Sequence, residues 1–209
     1  MLKIATVATH NDGYLPALKR ICEKNKCHLN VIGFGQKWDG WDWRTNKIIN
    51  YLQKCKMSDI VMLIDGFDVL VISTPEEIIE KFKKMSCNVL FSCSHISRGQ
   101  PDNDSFTYKN IAFPSIKKYF KSEHDFILNA GTIMGYSKHL LQLYLQIQRQ
   151  QKIRCINDDQ ILLNSMNLSF LKYNIDFDSN IFWIWEIDRI VDYGNMLITN
   201  ETYSNSTTR

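Results

Sequence analysis

The chain has 209 residues, is 44% hydrophobic and carries a formal charge of +3. That length and apolar content fit one domain around one sizeable core, and no apolar run is long enough to span a membrane. The charge is too weak and too dispersed to argue for nucleic acid as the main partner, and none is expected; Lys81, Lys83 and Lys84, and Lys117 with Lys118, read as solvated helix faces.

The predicted elements alternate strand and helix. Residues 4–9 are rich in β-branched side chains and read as the first strand. His10-Asn11-Asp12-Gly13 is turn chemistry. Residues 14–25 read as a helix with Pro16 in its first turn, and 29–34 as the second strand, closed by Gly35. Residues 44–56 set Ile48, Leu52 and Cys55 on one helical face. The unbroken apolar run 60–64 predicts a strand covered on both sides. Thr74-Pro75-Glu76-Glu77 is a helix start: Thr74 caps, Pro75 takes the first helical position, Glu77 completes a capping box, and the helix runs to Lys84.

Residues 88–93 read as another buried strand. Residues 94–125 lack a clear period and hold Gly99, Pro101 and Pro114, so they predict a long functional loop with a short helix at 115–120. Residues 126–135 read as a strand with an Asn-Ala-Gly break. Helices follow at 137–149 and 157–166, and short strands at 169–175, 182–185 and 190–193. The expectation is α/β: one domain over residues 1–199, with a largely parallel sheet, helices on both faces and a polar, disordered tail at 200–209. Ligands of such sheets bind beyond the carboxyl ends of the strands.

Six cysteines are present, with no C-x-x-C pair and no zinc spacing; a reducing compartment is the simpler reading, and the even count leaves disulfides as the alternative. The opening residues lack the apolar core and cleavage site of a signal peptide, so a cytoplasmic location is expected.

The chemistry is expected at the end of the third strand. Val61-Met62-Leu63-Ile64 runs into Asp65-Gly66-Phe67-Asp68, which brings two carboxylates out three residues apart, with Gly66 permitting a tight turn. Hard divalent cations take oxygen ligands, often one or two carboxylates plus substrate phosphates. The plainer alternative is a turn in which one Asp caps the next segment.

Asp65-Gly66-Phe67-Asp68-Val69 resembles the Asp-x-x-Asp-Val motif of the glycosyltransferase domain of the procollagen lysyl hydroxylase (PLOD) family. Ala5-Thr6-Val7-Ala8-Thr9 resembles that domain's first strand. Gly33-Phe34-Gly35-Gln36-Lys37-Trp38-Asp39-Gly40 is similar to its Gly-x-Gly-x-x-Trp-x-Gly stretch. Lys47, Ile127-Leu128-Asn129-Ala130-Gly131 and Asp158-Asp159-Gln160 match further family segments. The likeness covers residues 2–195.

The resemblance implies a GT-A fold, Mn²⁺ or another divalent cation, a UDP-sugar donor, and an acceptor that is a collagen-like polypeptide or a related glycan. It places Thr6 and Val7 along the uridine site and Phe67 on the base. Asp65 and Asp68 would hold the metal, with Trp38, Lys47 and Asn195 near the nucleotide-sugar. Asn129, Asp158 and Asp159 would face the donor sugar or the acceptor. Tyr193 stands where the family has its metal-binding His, so Tyr193 or Asp192 would take that ligand's place, and Ser94-His95 stands where it has a Glu. The family's hydroxylase domains are absent from this sequence. The expectation is therefore a stand-alone version, a viral one in a host cytoplasm among the alternatives; a homodimer is left open.

Some assignments keep a second reading. Asp158 and Asp159 also suit a helix start behind Asn157. Trp41 and Trp43 would share one side if extended, and Trp183, Trp185 and Glu186 would suit an acceptor wall. A catalytically weak nucleotide-sugar-binding module is the main alternative function. A dinucleotide oxidoreductase ranks low, because Gly33-x-Gly35 lacks the third glycine and opens no clear helix.

Overall fold

Strands β1 (Leu2–Val7), β2 (Leu29–Ile32), β3 (Ile60–Ile64), β4 (Val89–His95), β5 (Phe126–Tyr136) and β6 (Tyr173–Ile175) form one sheet in the order β2-β1-β3-β5-β4-β6. The computed structural model describes residues 1–95 and 126–184. The predicted helix at 115–120, the strand at 190–193, Trp185, Glu186, Asp192, Tyr193, Asn195 and the tail at 200–209 lie outside the described residues.

Pairing of β1 with β2 and β3, and of β4 with β6, is parallel, while β5 alone runs against both neighbours. The sheet is thus mostly parallel, as expected, with one reversed strand at its centre. All five residues of β3 are buried, which is what its unbroken apolar run requires.

Helices cover both faces. On one, α1 (Leu15–Lys24) buries Leu15, Leu18 and Cys22, and α3 (Pro75–Lys84) buries Ile78 and Phe82 against Ile4, Met62 and Leu90. On the other, α2 (Gly40–Leu52), α4 (Ser137–Arg154) and α5 (Asp159–Ser165) bring Ile48, Leu52, Leu140, Tyr144 and Leu162 onto Val61, Phe91 and Ile133. Thr74 caps α3, accepting the Glu77 N–H at 3.4 Å, and Glu77 pairs with Lys81 at 2.8 Å one turn on. All six cysteines are free thiols. Burial pushes Cys22 up to about 12 and Cys87 to about 11, so both are inert packing groups.

Several boundaries differ from the sequence reading. Helix α2 starts at Gly40 rather than residue 44, so Trp41 and Trp43 occupy its first turn instead of an extended loop. Gly40 turns the chain into the helix with a φ of 87°. Helix α4 runs on to Arg154 and is closed by left-handed Cys155. The cap of α5 is Asp158 rather than Asn157. The late strand shrinks to β6, and residues 182–184 carry none.

The expected break at Asn129-Ala130-Gly131 is a bulge inside a continuous strand. Phe91 pairs with Ile133, but the next β4 residue, Ser92, pairs with Asn129. Strand β5 survives because β3 keeps pairing on its other side, through Ile64 with Thr132 and the Asp65 N–H to the Gly131 carbonyl at 2.8 Å.

Candidate active site

The turn after β3 is fixed from both ends. Its first residue, Asp65, is bound to Gly131 of β5 by the hydrogen bond just described. Its third, Phe67, accepts the Tyr14 N–H at 2.7 Å. Gly13 lets the loop after β1 come this close: its φ is 49°, and a Cβ there would lie 2.2 Å from the Phe67 carbonyl oxygen. Asp65 is half-buried, whereas Phe67 and Asp68 are exposed. The Phe67 ring lies 5.4 Å from the His10 ring.

Beneath Asp65 sits Arg44, the fifth residue of α2. Its Nη2 donates to Asp65 Oδ1 at 2.8 Å, and its Nη1 donates to Asp159 Oδ2. Arg44 and Asp159 are both buried. Burial pulls the guanidinium down, but the charges on Asp159 and Asp65 outweigh it and hold Arg44 above its ordinary value. Burial pushes the Asp65 carboxyl up to about 6; Arg44 opposes the rise, while the charges on Asp68 and Asp159 add to it. Burial pushes Asp159 upward too, against the pull of Arg44.

The bulge explains how α5 reaches this point. Ala130, Gly131 and Thr132 have left the β4 ladder, so their polar backbone needs other partners. Gln160 Oε1 accepts the Ala130 N–H at 3.0 Å. Asn129 Oδ1 accepts the Gly131 N–H at 2.7 Å, and Asn129 Nδ2 donates to Ser94 Oγ at 2.8 Å. Buried Asn164 clamps Leu128, accepting its N–H and donating to its carbonyl, both at 2.8 Å. Asp158 Oδ1 accepts the Ile161 N–H at 2.9 Å. In Asp158-Asp159-Gln160, then, the first residue caps α5, the second holds Arg44 and the third satisfies the bulge. A Cβ on Gly131 would meet both Asp65 Oδ2 and Asn129 Oδ1 within 3 Å, so these two oxygens border one point.

The other expected residues surround this centre. Thr6 is buried with its hydroxyl against Gly66, and half-buried Val7 ends β1 on the opposite face. Exposed Trp38 meets Trp41 and Trp43 edge-on, each at 5.5 Å, and Lys47 Nζ lies 5.3 Å from the Trp43 ring. A cavity of about 300 Å³ opens beside Asp68, with Tyr14, Val71, Phe182 and exposed Trp183 in its wall. Sequence reasoning gave no role to Arg44 or Asn164, and it quoted Gln160 only as part of a matching segment. Arg44 had a visible signal: it shares the spacing of Ile48 and Leu52, so a charge sits on the buried stripe of α2.

A mostly parallel sheet flanked by helices, with carboxylates gathered beyond a strand end, fits an α/β domain of the GT-A type. Residues 1–203 match the PLOD GT domain, and the chain belongs to that family. It is 27% identical over 199 residues to the human multifunctional procollagen lysine hydroxylase and glycosyltransferase LH3, covering 87% of this chain and 24% of that protein. Over 198 residues it is 26% identical to a procollagen-lysine,2-oxoglutarate 5-dioxygenase of Drosophila melanogaster, covering 87% and 25%. Protein R699 of Acanthamoeba polyphaga mimivirus is 22% identical over 189 residues, covering 84% and 37%. The chain thus spans between 24% and 37% of the length of these relatives. No helix among the described residues is long and apolar enough to cross a membrane.

Proposed function

We propose that this chain transfers glucose or galactose from a UDP-sugar to a hydroxylysine-type acceptor, on a collagen-like polypeptide or a related glycan, with Mn²⁺ or another divalent cation. The observation that carries this reading is the charge of the crevice. Asp65, Asp68 and Asp159 interact there, and among the described residues Arg44 is the one cation paired with Asp65 and Asp159. Carboxylates outnumber the guanidinium there, and Asp158 adds its charge beside Asp159, so the crevice is acidic, the sign that draws a divalent cation.

The donor set fits such an ion. Arg44 takes Asp65 Oδ1 and leaves Oδ2 turned toward Gly131, and Asp68 follows in the exposed part of the same turn. Among the described residues no group of three or more His, Cys, Asp or Glu could hold a metal. Two carboxylates completed by diphosphate and water is the usual arrangement for Mg²⁺-like ions. When bound, the cation neutralises the diphosphate as it leaves.

The protein's own groups do the remainder. Phe67, beside His10, offers a flat face to the base; Thr6, buried under Gly66, supports the turn that carries Phe67 rather than touching the base, and half-buried Val7 ends the same strand on its other face. Trp38 and Lys47 approach the nucleotide-sugar from α2 and the loop before it. Asn129 and Asp158 orient sugar hydroxyls. Trp183 and the cavity beside Asp68 form a wall for the acceptor. Asp159 acts through Arg44, because it is buried.

UDP release from UDP-glucose and UDP-galactose, with and without Mn²⁺ and a hydroxylysine-containing collagen peptide, tests this reading. Mn²⁺-dependent release stimulated by the peptide is expected. A second reading, a nucleotide-sugar-binding module without turnover, draws on the commitment of Asp159 to Arg44. It predicts UDP binding with no release from any donor.

A further inference from the structure

Arg44 stands on the buried face of α2, in register with Ile48 and Leu52. Burying a guanidinium is unfavourable, and apolar replacements of buried ion pairs are often neutral or stabilising. Stability of the core therefore does not account for it. What Arg44 supplies is geometry. Its two Nη atoms reach carboxylates from separate segments, Asp65 at the end of β3 and Asp159 at the start of α5. A planar fork can hold two carboxylates in one orientation, whereas a lysine ammonium is a single point of charge. On a third side, Arg44 Cζ lies 5.7 Å from the Trp41 ring, and Trp41 meets Trp38. The guanidinium is thus walled in and has little freedom to leave.

We infer that Arg44 is a positioning residue: it fixes Asp65 so that Oδ1 is held and Oδ2 is presented beside Gly131 for a divalent cation. This rests on the proposed transferase reading only in taking Asp65 as a cation ligand. Asp159 serves as the counter-anchor that keeps the guanidinium in place, and Gln160 ties that anchor to the bulge in β5.

The decisive variant is charge-balanced. Arg44→Met with Asp159→Asn removes one positive and one negative charge, so the net charge of the crevice is unchanged while the hold on Asp65 is lost. Arg44→Lys is the companion, keeping the charge but not the fork. Thermal unfolding verifies folding, and calorimetric titration of Mn²⁺ in the presence of UDP reads affinity independently of turnover. Both variants are expected to bind Mn²⁺ at least about tenfold more weakly than wild type, as removal of a residue orienting a metal ligand commonly does. If the double variant fails to fold, Arg44→Lys decides by the same criterion.

Affinity within twofold of wild type in a folded variant overturns the inference. Wild-type protein that binds no Mn²⁺ with UDP overturns both this inference and the metal-dependent reading. Wild-type protein that binds Mn²⁺ and UDP without turnover, and loses affinity in the variants, sinks the transferase reading and supports the role of Arg44.

Discussion

Asp65→Asn separates function from stability at a single atom pair. Asn keeps the shape of the carboxylate and can still accept the Arg44 hydrogen bond, so the change is chiefly one of charge. A divalent cation about 4 Å from a unit charge gains roughly 2 kcal/mol even at the dielectric of water, and more in partly buried surroundings. Losing that attraction weakens the cation by at least about 30-fold. Stability moves the other way. The folded protein raises the Asp65 carboxyl to about 6, with burial as the leading cause and Arg44 already opposing it. A carboxyl raised on folding favours the native state while protonated, and that advantage is lost as pH rises through the folded value.

Above pH 6 the ionised Asp65 therefore destabilises the apo-protein, and Asn relieves the strain. The Asp65 side chain is 45% exposed, so solvent screening limits the gain to no more than about 1 kcal/mol. For a chain of this size that is a rise in Tm of up to about 3 °C. Melting curves without metal at pH 7.5 and pH 4.5, together with Mn²⁺-dependent UDP release, check this. The variant should be as stable as wild type or slightly more so at pH 7.5, with the difference shrinking toward pH 4.5, and should lose most turnover. A fall in Tm of more than about 5 °C, or turnover like wild type, refutes the assignment of Asp65 as a charged functional group held at a cost to the fold.

Three further changes probe the supports. Asn164→Ala strips both backbone partners of Leu128 in a position with no exposure, and should cost about 3 kcal/mol, seen as a Tm roughly 6–12 °C lower. Gly13→Ala drives a Cβ into the Phe67 carbonyl at a positive φ; it should cost at least about 1 kcal/mol and weaken UDP binding in a titration, since Phe67 must move. Asp59→Asn should cost about 1–2 kcal/mol at pH 7, because Asp59 accepts from Lys3 Nζ at 2.7 Å and from the Lys56 N–H at 3.0 Å. The Lys3 hydrogen bond holds the Asp59 carboxyl below its ordinary value, so wild type should lose this advantage as pH falls below about 4, and urea melts of the two proteins should converge there.

Much of the frame was legible because it rests on local signals. The run 60–64 contained nothing but apolar residues, and its bounds came out as read. Thr74-Pro75 announced α3 through capping chemistry that needs only neighbours. Direction and register were not legible. The reversed sense of β5 is a choice among partners distant in sequence, and alternation of side chains is the same for either sense. The Asn129-Ala130-Gly131 signal was visible as an irregularity, but its form depended on β3 pairing through it while β4 did not. At α2, two tryptophans beside Gly40 disguised a helical first turn as a loop. The Asp-Gly-Phe-Asp turn was legible as a pair of carboxylates; its anchoring by Gly13 and by Arg44 was not, since both contacts come from other segments.

The bulge gives these separate facts a common cause. Had β4 and β5 paired without interruption, Ala130 and Gly131 would have found partners in the ladder, and nothing would have drawn Gln160 against the sheet. Because the ladder opens there, Gln160 and Asn164 are needed to satisfy backbone that would otherwise be buried unpaired, and they lock the start of α5 to β5. Asp159 lies between Asp158, which caps the helix, and Gln160, which grips the bulge, so its position is determined from both sides. Arg44 then transmits that position to Asp65. The precision of the carboxylate at the strand end thus derives from a polar network within the sheet and helices. Loosening any member of it should blur Asp65 before it unfolds the domain.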